Sequence, residues 1–380
     1  AITGVKAYLN EEKKENASLA LLGELDALRI PEHAYVNPET DAAHCCGHHA
    51  QMAGIFGAAL ALTVPEIAEK LGGQVVFFAT PAEEYGEIEF KNQLREQGKI
   101  RYGGGKCELI RTGAFDDIDL CLAHHIQPGD EIQVGSGTGN GFVSKVIRYL
   151  GKAAHAAGAP DKGVNALSAA SLGLQALGLN RETFRDEDCV RVHPIITKGG
   201  NLVNVIPDEI VIETLVRAKT IEAFTDAAKK TDRSFQAGAV AMGAKVEIIT
   251  LPGYLPTLAE QALPELKRAA ELAAPEVPVR EAAGHSGGST DVGDVQHLMP
   301  VYTFNTGGVK GGLHQINFEV TNEEEAYIDT AKMFALAAYG LLKEKAARSK
   351  ELVKNYKPVF KDSAEYTKFM EQFDSKEVLD

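Results

Sequence analysis

The stretch QVVFFATPAEE, residues 74–84, joins an apolar run to a pair of carboxylates, and this combination decides the fold. Its first part is rich in β-branched and aromatic residues and is stopped by Pro81, which predicts a buried β-strand. Similar runs occur at 19–28 (LALLGELDAL) and 120–126 (LCLAHHI), with helical patterns between the strands. Strands alternating with helices predict a doubly wound α/β layer, with functional residues at the carboxyl ends of the strands.

The pattern of apolar and polar residues changes after the third of these strands. Strand and helix patterns then follow in the order β-α-β-β-α-β, which predicts a ferredoxin-like two-layer domain whose strand edges could pair with another subunit. The α/β pattern resumes after Pro256, and the last part of the chain, from residue 322, is predicted to be helical. We therefore expect a discontinuous catalytic domain of residues 1–136 and 251–380, interrupted by a smaller domain of residues 137–250.

Two glycine-rich segments lack the context of nucleotide-binding loops. GSGTGNG (135–141) leads into a strand rather than a helix, so we interpret it as the hinge into the smaller domain. GGGK (103–106) lacks both the following Ser or Thr and the spacing of a phosphate-binding loop, so a flexible loop is expected there.

The charge and cysteine content of the chain bear on its partners and its location. The 380 residues include 39 basic and 53 acidic side chains, a formal charge of −14, which argues against nucleic acid or an anionic membrane as a partner. The first residues resemble a strand in progress rather than a secretory signal, which leaves open whether another segment precedes them. The five cysteines show no disulfide-framework spacing, so a reducing cytoplasm is expected.

The segment HCCGHHAQ (44–51) has the highest density of potential metal ligands in the sequence. Cys46 and His48 bring a soft thiolate and an imidazole together, and Gly47 between them permits a tight backbone. Geometry disfavours a disulfide between the adjacent Cys45 and Cys46. An isolated C-x-H more often represents a buried cysteine beside a surface histidine, so other ligands are needed to support a metal site.

Three further segments supply such ligands. Glu83 and Glu84 follow the strand at 74–80, where one carboxylate could bind metal while the other accepts a proton, although a solvated acidic turn is the commoner fate of such a pair. AHHIQP (123–128) closes another buried strand with two histidines, one of which could be a core residue. His314 follows two glycines near the end of the chain and means little alone.

The order of seven motifs resembles the aminoacylase/carboxypeptidase family of two-metal peptidases. It is most similar to the amidohydrolase branch, which includes hydrolases of N-acyl amino acids, hippurate, indoleacetyl-amino acids and aminobenzoyl-glutamate. The resemblance covers nearly the whole chain and implies a phosphorylase/hydrolase-like catalytic domain with an inserted ferredoxin-like lid and dimerisation domain. The motifs are, in order, HCCGHHAQ, PAEE (81–84), AHHIQP, GKAAHAAGAP (151–160), NVIPD (204–208), GGSTDVGD (287–294) and LHQINF (313–318).

The resemblance implies a role for each matching residue. Glu83 would be the general acid/base, and Asp26 would support a metal-bound imidazole. Glu24 stands where other branches of the superfamily carry a ligand histidine. Two divalent ions are implied, usually zinc or manganese, although mixed sulfur, nitrogen and oxygen donors also suit cobalt or nickel. The implied ligands are Cys46, His48, Glu84, His125 rather than His124, and His314.

In the smaller domain, His155 matches a family histidine that reaches the partner subunit's active site, where it would polarise the scissile carbonyl. Asn204 resembles an asparagine of the lid that contacts substrate. Arg217 is a weaker candidate for binding a substrate carboxylate, with a solvated strand arginine as the alternative. Asp291 matches an acidic position without an assigned role, and His49 departs from the Asp or Asn that many relatives carry after C-G-H.

These observations predict a metal-dependent amidohydrolase. Its substrates would be N-acyl or N-aroyl amino acids, or dipeptide-like amides, attacked by a water shared between the metals with Glu83 as general acid/base. A homodimer or larger homo-oligomer, formed through the lid domain, is implied by the resemblance. The alternatives are a dipeptidase or other exopeptidase of the same family, a catalytically silent paralogue that binds amino-acid derivatives, and a hydrolase with Cys46 as a free nucleophile beside His48.

Overall fold

The structure is a computed structural model that describes residues 2–379. Its β-strands are β1 (Val5–Leu9), β2 (Ser18–Glu24), β3 (Leu28–Arg29), β4 (Ala42–Ala43), β5 (Gln74–Thr80), β6 (Leu120–Ile126), β7 (Ile132–Val134), β8 (Thr138–Gly139), β9 (Gly141–Leu150), β10 (Arg191–Val192), β11 (Ile195–Lys198), β12 (Glu209–Ala218), β13 (Lys245–Tyr254), β14 (Val279–Glu281), β15 (His285–Ser286), β16 (Val301–Thr306), β17 (Val309–Lys310), β18 (Glu319–Val320) and β19 (Ser375–Leu379). Its α-helices are α1 (His48–Leu62), α2 (Pro65–Ala68), α3 (Ile88–Glu96), α4 (Gly105–Arg111), α5 (Ala166–Leu179), α6 (Ile221–Met242), α7 (Pro264–Ala273), α8 (Val292–Gln296), α9 (Thr330–Asn355) and α10 (Ser363–Met370).

A seven-stranded mixed sheet carries the site, with strand order β1-β5-β2-β6-β16-β7-β14. Its centre is parallel, since β5, β2, β6 and β16 pair in parallel, whereas β1 runs antiparallel along the β5 edge. The three strands predicted at 19–28, 74–80 and 120–126 are therefore neighbours. Their carboxyl ends lie at one edge of the sheet, where ligand sites form in open α/β folds.

Both faces of this sheet are covered, as its apolar strand sequences require. Leu19 and Leu21 point to a core that they share with α1, α7 and α9. Ala20 and Leu22 point to the opposite core, which includes side chains of α4 and α8. The mixed α/β class expected from the sequence is confirmed.

A second, antiparallel sheet has the order β10-β12-β9-β13-β19, and β11 also pairs with β12. The elements β9, α5, β11, β12, α6 and β13 follow in the chain order β-α-β-β-α-β that the sequence indicated. α5 and α6 pack together and share a core with the sheet, around Tyr149, Phe235 and Ile248.

Two expectations about local structure are wrong. The chain after residue 322 is not helical to its end, because Ser375–Leu379 forms β19 and pairs antiparallel with β13 in the second sheet. This strand was expected to lie with the catalytic domain. The GGGK segment is not a flexible loop, since Gly105 begins α4 and every residue from Gly103 to Ile110 is buried. Within residues 2–379, no helix is long and apolar enough to cross a membrane.

Candidate metal centre

Four of the candidate site residues lie close together because three elements end or begin at the same place. Glu83 and Glu84 follow β5, His125 lies near the end of β6, and α1 begins directly after Gly47. Gly47 has φ 84°, and a Cβ on it would lie 2.1 Å from the Ile126 side chain, so only glycine suits this helix start.

His314 enters from a loop far along the chain. It has a left-handed backbone (φ 62°), and its N–H donates to the Cys45 carbonyl over 2.9 Å. This contact joins the loop between β17 and β18 to the segment before α1. An early and a late segment of the sequence thereby contribute ligands to the same centre.

Cys46 is at the middle of the cluster. Its sulfur lies 3.4 Å from His125 Nε2 and 3.3 Å from His314 Nε2. His314 Nε2 in turn lies 3.1 Å from Glu84 Oε1. Ligand atoms within 4.8 Å of one another form two sets that share the Cys46 sulfur, Cys46–His48–His125 and Cys46–Glu84–His314. Two such sets with a common thiolate suit two metal ions side by side.

The donor atoms themselves fit cations. His48 Nε2 and Glu84 Oε1 are buried and, among the described residues, make no contact with hydrogen-bond geometry, although Glu24 Oε2 lies 3.2 Å from the first and His314 Nε2 lies 3.1 Å from the second. Buried polar atoms without a satisfied hydrogen bond are suited to bind a ligand. Burial disfavours an imidazolium at His48, yet the carboxylates of Glu24 and Asp26 outweigh it and raise the pKa of His48 to about 12. The same negative field favours a metal cation beside this ring.

Asp26 supports two of the candidate ligands. One carboxylate oxygen lies 3.4 Å from His48 Nδ1, and the other accepts the backbone N–H of Glu84 over 2.9 Å. The Asp26 carbonyl is also 3.1 Å from His48 Nδ1. Asp26 therefore fixes the ring that presents Nε2 to the cluster and the backbone that carries Glu84, as supporting groups at metal sites do.

Glu83 lies beside the cluster without belonging to either set that contains Cys46. Burial and the nearby carboxylates of Glu24 and Asp291 raise its pKa well above the ordinary value. A carboxyl group with a raised pKa can both accept and return a proton near neutral pH. Glu24, His48 and Glu83 also form a third possible ligand set.

Lys106 is the main residue that the sequence interpretation missed. Its side chain is 0% exposed, and its ammonium lies 2.5 Å from Glu24 Oε1 and 2.6 Å from Asp291 Oδ1. The Lys106 backbone N–H donates to the other Asp291 oxygen over 2.8 Å. Burial opposes ionisation of Glu24, but Lys106 and His48 lower its pKa to about 2. Asp291, whose role could not be assigned from its motif, is therefore a counter-ion of Lys106.

The glycines before Lys106 are required by close packing. A Cβ on Gly103 would lie 2.6 Å from the Tyr85 ring, and one on Gly104 would lie 2.2 Å from the Tyr254 ring. A Cβ on Gly105 would lie 1.5 Å from the Pro81 carbonyl oxygen. The sequence signal for this close packing was the run of three consecutive glycines at the start of a helix. It was not used because the segment was compared only with a phosphate-binding loop.

A cavity of about 550 Å³ opens from the cluster. One wall contains Cys46, Glu83, Glu84, His125 and His314. The opposite wall consists largely of small and hydroxyl-bearing residues from 135–139 and 282–290, together with Arg217. A Ser289 hydroxyl accepts from Arg217 over 3.1 Å, and the guanidinium lies over the Phe142 ring at 5.4 Å.

Other predicted site residues lie elsewhere. His155 and Asn204 are exposed and do not line this cavity. His124 is buried and within 2.8 Å of the Thr306 hydroxyl, so it is His125 that lies beside Cys46. His49 belongs to none of the ligand sets, and its ring instead neighbours those of His44 and Tyr327.

Comparison with protein families gives one match over most of the chain. Residues 20–339 match the family model described as peptidase family M20/M25/M40. The chain is 28% identical over 325 residues to the Xaa-Arg dipeptidase of Mus musculus, covering 83% of this chain and 67% of that protein. It is 31% identical over 226 residues to the N-acetyl-L-cysteine deacetylase of Bacillus subtilis (strain 168), covering 57% of this chain and 49% of the relative.

Solved structures share the architecture. A dinuclear metal-binding peptidase of the M20 family from Bacillus subtilis superposes with a TM-score of 0.59. The alignment covers 90% of this chain and 85% of that one, with 23% sequence identity. At this identity the similarity establishes a common fold.

Proposed function

The chain belongs to peptidase family M20/M25/M40, and from this premise we propose that it hydrolyses the amide bond of N-acyl or N-aroyl amino acids. Membership confirms the resemblance inferred from the order of the motifs. The observation that carries the proposal is the pair of ligand sets that share Cys46, with Glu83 next to them and a cavity in front.

The five residues Cys46, His48, Glu84, His125 and His314 would hold two divalent ions, zinc or manganese, with cobalt or nickel also compatible with the donors. When bound, the ions supply Lewis acidity, which activates water and polarises the amide carbonyl. Burial raises the pKa of the Cys46 thiol to about 12, which disfavours a free thiolate nucleophile at this position.

Glu83 would perform the proton transfers. Its carboxylate takes a proton from the attacking water and then gives that proton to the nitrogen of the leaving amine, so that one group serves as base and then as acid. The raised pKa of Glu83, caused first by burial and then by Glu24 and Asp291, suits a group that must hold the proton between the two steps. Lys106 compensates two of the neighbouring carboxylates and limits how far they oppose ionisation of Glu83.

Arg217 would bind the carboxylate of the substrate's amino acid. Its guanidinium lines the cavity, and within residues 2–379 its polar contact is the neutral Ser289 hydroxyl rather than a carboxylate. Burial lowers the pKa of Arg217, a sign that its charge is poorly solvated. A poorly solvated cation without a counter-ion is unfavourable unless an anionic ligand completes it.

Arg217→Met should therefore raise KM about tenfold to a hundredfold for N-acyl amino acids, as loss of a charged hydrogen bond implies. Substrates whose carboxylate is converted to an amide should have a high KM with the native protein, and the substitution should leave that KM unchanged. The control is Arg148→Met, because Arg148 already pairs with Glu89 and Glu247. Equal KM changes for the acid and the amide would refute this role.

A dipeptidase is the second candidate, favoured by the similarity to the Xaa-Arg dipeptidase over 83% of the chain. A dipeptide also ends in a carboxylate that Arg217 could bind. The two activities differ at the acyl end, where a dipeptide presents an ammonium group. Matched pairs of N-acetylated and free dipeptides that share the leaving amino acid would distinguish them by kcat/KM.

We further propose that the chain works as a homodimer or larger homo-oligomer, with residues 137–250 as a lid and dimerisation domain. The apolar side chains of Ile195 (62%), Leu202 (64%) and Val203 (104%), which precede Asn204 in the sequence, are exposed. His155 Nδ1 accepts the backbone N–H of Gly158 over 3.0 Å, so its neutral ring carries the proton on Nε2. That exposed N–H could polarise a carbonyl in a partner's cavity, with Asn204 contacting the same substrate.

Subunit mixing tests this arrangement. Glu83→Gln and His155→Ala chains should each be inactive, but a mixed dimer contains one cavity with a native Glu83 and a native His155 from the partner. Mixing after dissociation should therefore restore activity. No recovery, with mixed dimers demonstrated by mass spectrometry, would show that His155 does not act in the partner's cavity.

The proposed location is the cytoplasm. All five cysteines are free thiols, including the adjacent pair Cys45 and Cys46, and free thiols are typical of proteins in a reducing compartment. Fractionation of cells that express the full-length protein, with an antibody against it, would test this location.

Glu83→Gln tests the function directly. In the metal-loaded protein, this substitution should reduce kcat on an N-acyl amino acid by about a hundredfold or more while metal content stays unchanged. Glu87→Gln, at an exposed position in the same loop, is the matched control and should retain full activity. Near-normal turnover by Glu83→Gln would overturn the assignment.

A further inference from the structure

The loop that carries Glu83 has an unusual backbone. Ala82 and Tyr85, on either side of the Glu83–Glu84 pair, both have φ 56°, and so does Glu87. Left-handed conformations are unfavourable for residues with a Cβ, and they persist only where surrounding contacts fix them. The contacts that fix this loop therefore determine where the Glu83 carboxylate lies.

The most direct of these contacts comes from Tyr254, the last residue of β13. Its hydroxyl donates to the Glu83 carbonyl over 2.5 Å and lies 3.4 Å from the Ala82 carbonyl. Tyr254 is 2% exposed, and burial together with nearby carboxylates raises its pKa well above the ordinary value. The phenol is therefore neutral and remains a hydrogen-bond donor.

A strand irregularity and two glycines allow Tyr254 to reach this position. The pairing of β13 with β9 is irregular between Pro252 and Tyr254, and such bulges redirect side chains next to active sites. Gly253 at the bulge approaches the Phe142 carbonyl so closely that a Cβ would lie 2.2 Å from it. Gly104 leaves the space that the Tyr254 ring occupies.

We propose that Tyr254 is a positioning residue for the reaction, whose hydroxyl fixes the strained Glu83 loop so that the carboxylate is aligned with the attacking water. Tyr254 acts through the Glu83 backbone and not on the reacting atoms. Because it belongs to β13, it also links the second sheet to the catalytic loop. The inference rests on the proposed role of Glu83.

The test is Tyr254→Phe in the full-length, metal-loaded protein, because phenylalanine keeps the ring and removes only the hydroxyl. The kcat should fall about tenfold to a hundredfold, because small misalignments of catalytic groups reduce the rate by such factors. KM should change less than about twofold, because substrate binding does not use the Glu83 carbonyl. Metal content should match the native protein, and the melting temperature should fall by no more than a few degrees, as loss of one buried hydrogen bond implies.

Tyr149→Phe is the matched control. Tyr149 is also fully buried, and its hydroxyl donates to a backbone carbonyl, that of Phe235, over 2.7 Å. Its loss should leave kcat unchanged. A second variant, Gly104→Ala, displaces the Tyr254 ring from its position although the side chain keeps its hydroxyl group. The effects of Gly104→Ala and Tyr254→Phe on kcat should be less than additive, because both act through the same contact.

The outcomes separate this inference from the proposed function. If Glu83→Gln abolishes turnover while Tyr254→Phe keeps kcat within about twofold of native, the positioning role is wrong and the function stands. If Glu83→Gln is active, the proposed function fails first. A fall in kcat that is equal for Tyr254→Phe and Tyr149→Phe, or that follows loss of metal, would also overturn the positioning role.

Discussion

Replacing Lys106 with methionine would test the buried charge cluster that the sequence concealed. Methionine has a similar length and no charge, so the substitution removes the ammonium between Glu24 and Asp291 with little change in volume. Both carboxylates are buried, at 5% and 0% exposure. Removing one partner of a buried ion pair costs about 3–5 kcal/mol, and here two carboxylates lose their counter-ion, so the free energy of unfolding should fall by at least that amount.

The cost should also depend on pH. Without Lys106, one of the two carboxylates should keep its proton in the folded state to a higher pH than in the unfolded chain. The unfolded state then releases a proton that the folded state retains, so raising the pH favours unfolding. The destabilisation by Lys106→Met should therefore be larger at pH 8 than at pH 5.

Urea unfolding of the metal-free protein, followed by circular dichroism, measures both effects. Lys145→Met is the matched control. Lys145 is equally buried, but its partner Asp232 is 33% exposed and can be hydrated after the substitution, so a loss of about 1–2 kcal/mol is expected. A loss below about 1 kcal/mol for Lys106→Met, or one equal to that of Lys145→Met, would refute the reasoning.

Three further predictions concern other features. Burial raises the pKa of Glu260 to about 8 from 4.5. Ionisation of Glu260 should therefore contribute a loss of stability as pH rises from about 4.5 to 8, and Glu260→Gln should remove that contribution relative to the native protein in urea unfolding. Gly105→Ala would overlap a backbone carbonyl and should cost about 2–3 kcal/mol by the same assay, whereas Gly178→Ala, with open space around it, should not destabilise. Asp26→Asn should weaken metal binding about tenfold to a hundredfold in a chelator competition, because His48 loses its support; unchanged affinity would contradict this.

The structural features that could be predicted from the sequence are those that a local run of residues reveals. The runs at 19–28, 74–80 and 120–126 are apolar because both faces of the sheet are covered, and this is visible without a structure. Parallel strands place their carboxyl ends together, so Glu83, Glu84 and the 124–125 histidine pair were expected to meet. The choice between His124 and His125 came only from the family resemblance.

The features that could not be predicted depend on long-range packing. Lys106 was assigned to a flexible loop because its partners, Glu24 and Asp291, are 82 and 185 residues away in sequence. Tyr254 carries no local sign of its contact with the Glu83 carbonyl, 171 residues away. The last strand, β19, is short and largely exposed, so its pairing with β13 decides its conformation.

The central claim is a two-metal centre built around a shared thiolate, and the metal content of the purified chain tests it most directly. After loading with cobalt and removal of free metal, elemental analysis should give about two ions per chain, with a thiolate-to-cobalt absorption band. Cys46→Ser should lose the band and weaken both ions, since the Cys46 sulfur belongs to both ligand sets, whereas Cys45→Ser should retain both properties. Fewer than about one ion per chain in the native protein, or a band that survives Cys46→Ser, would contradict the account.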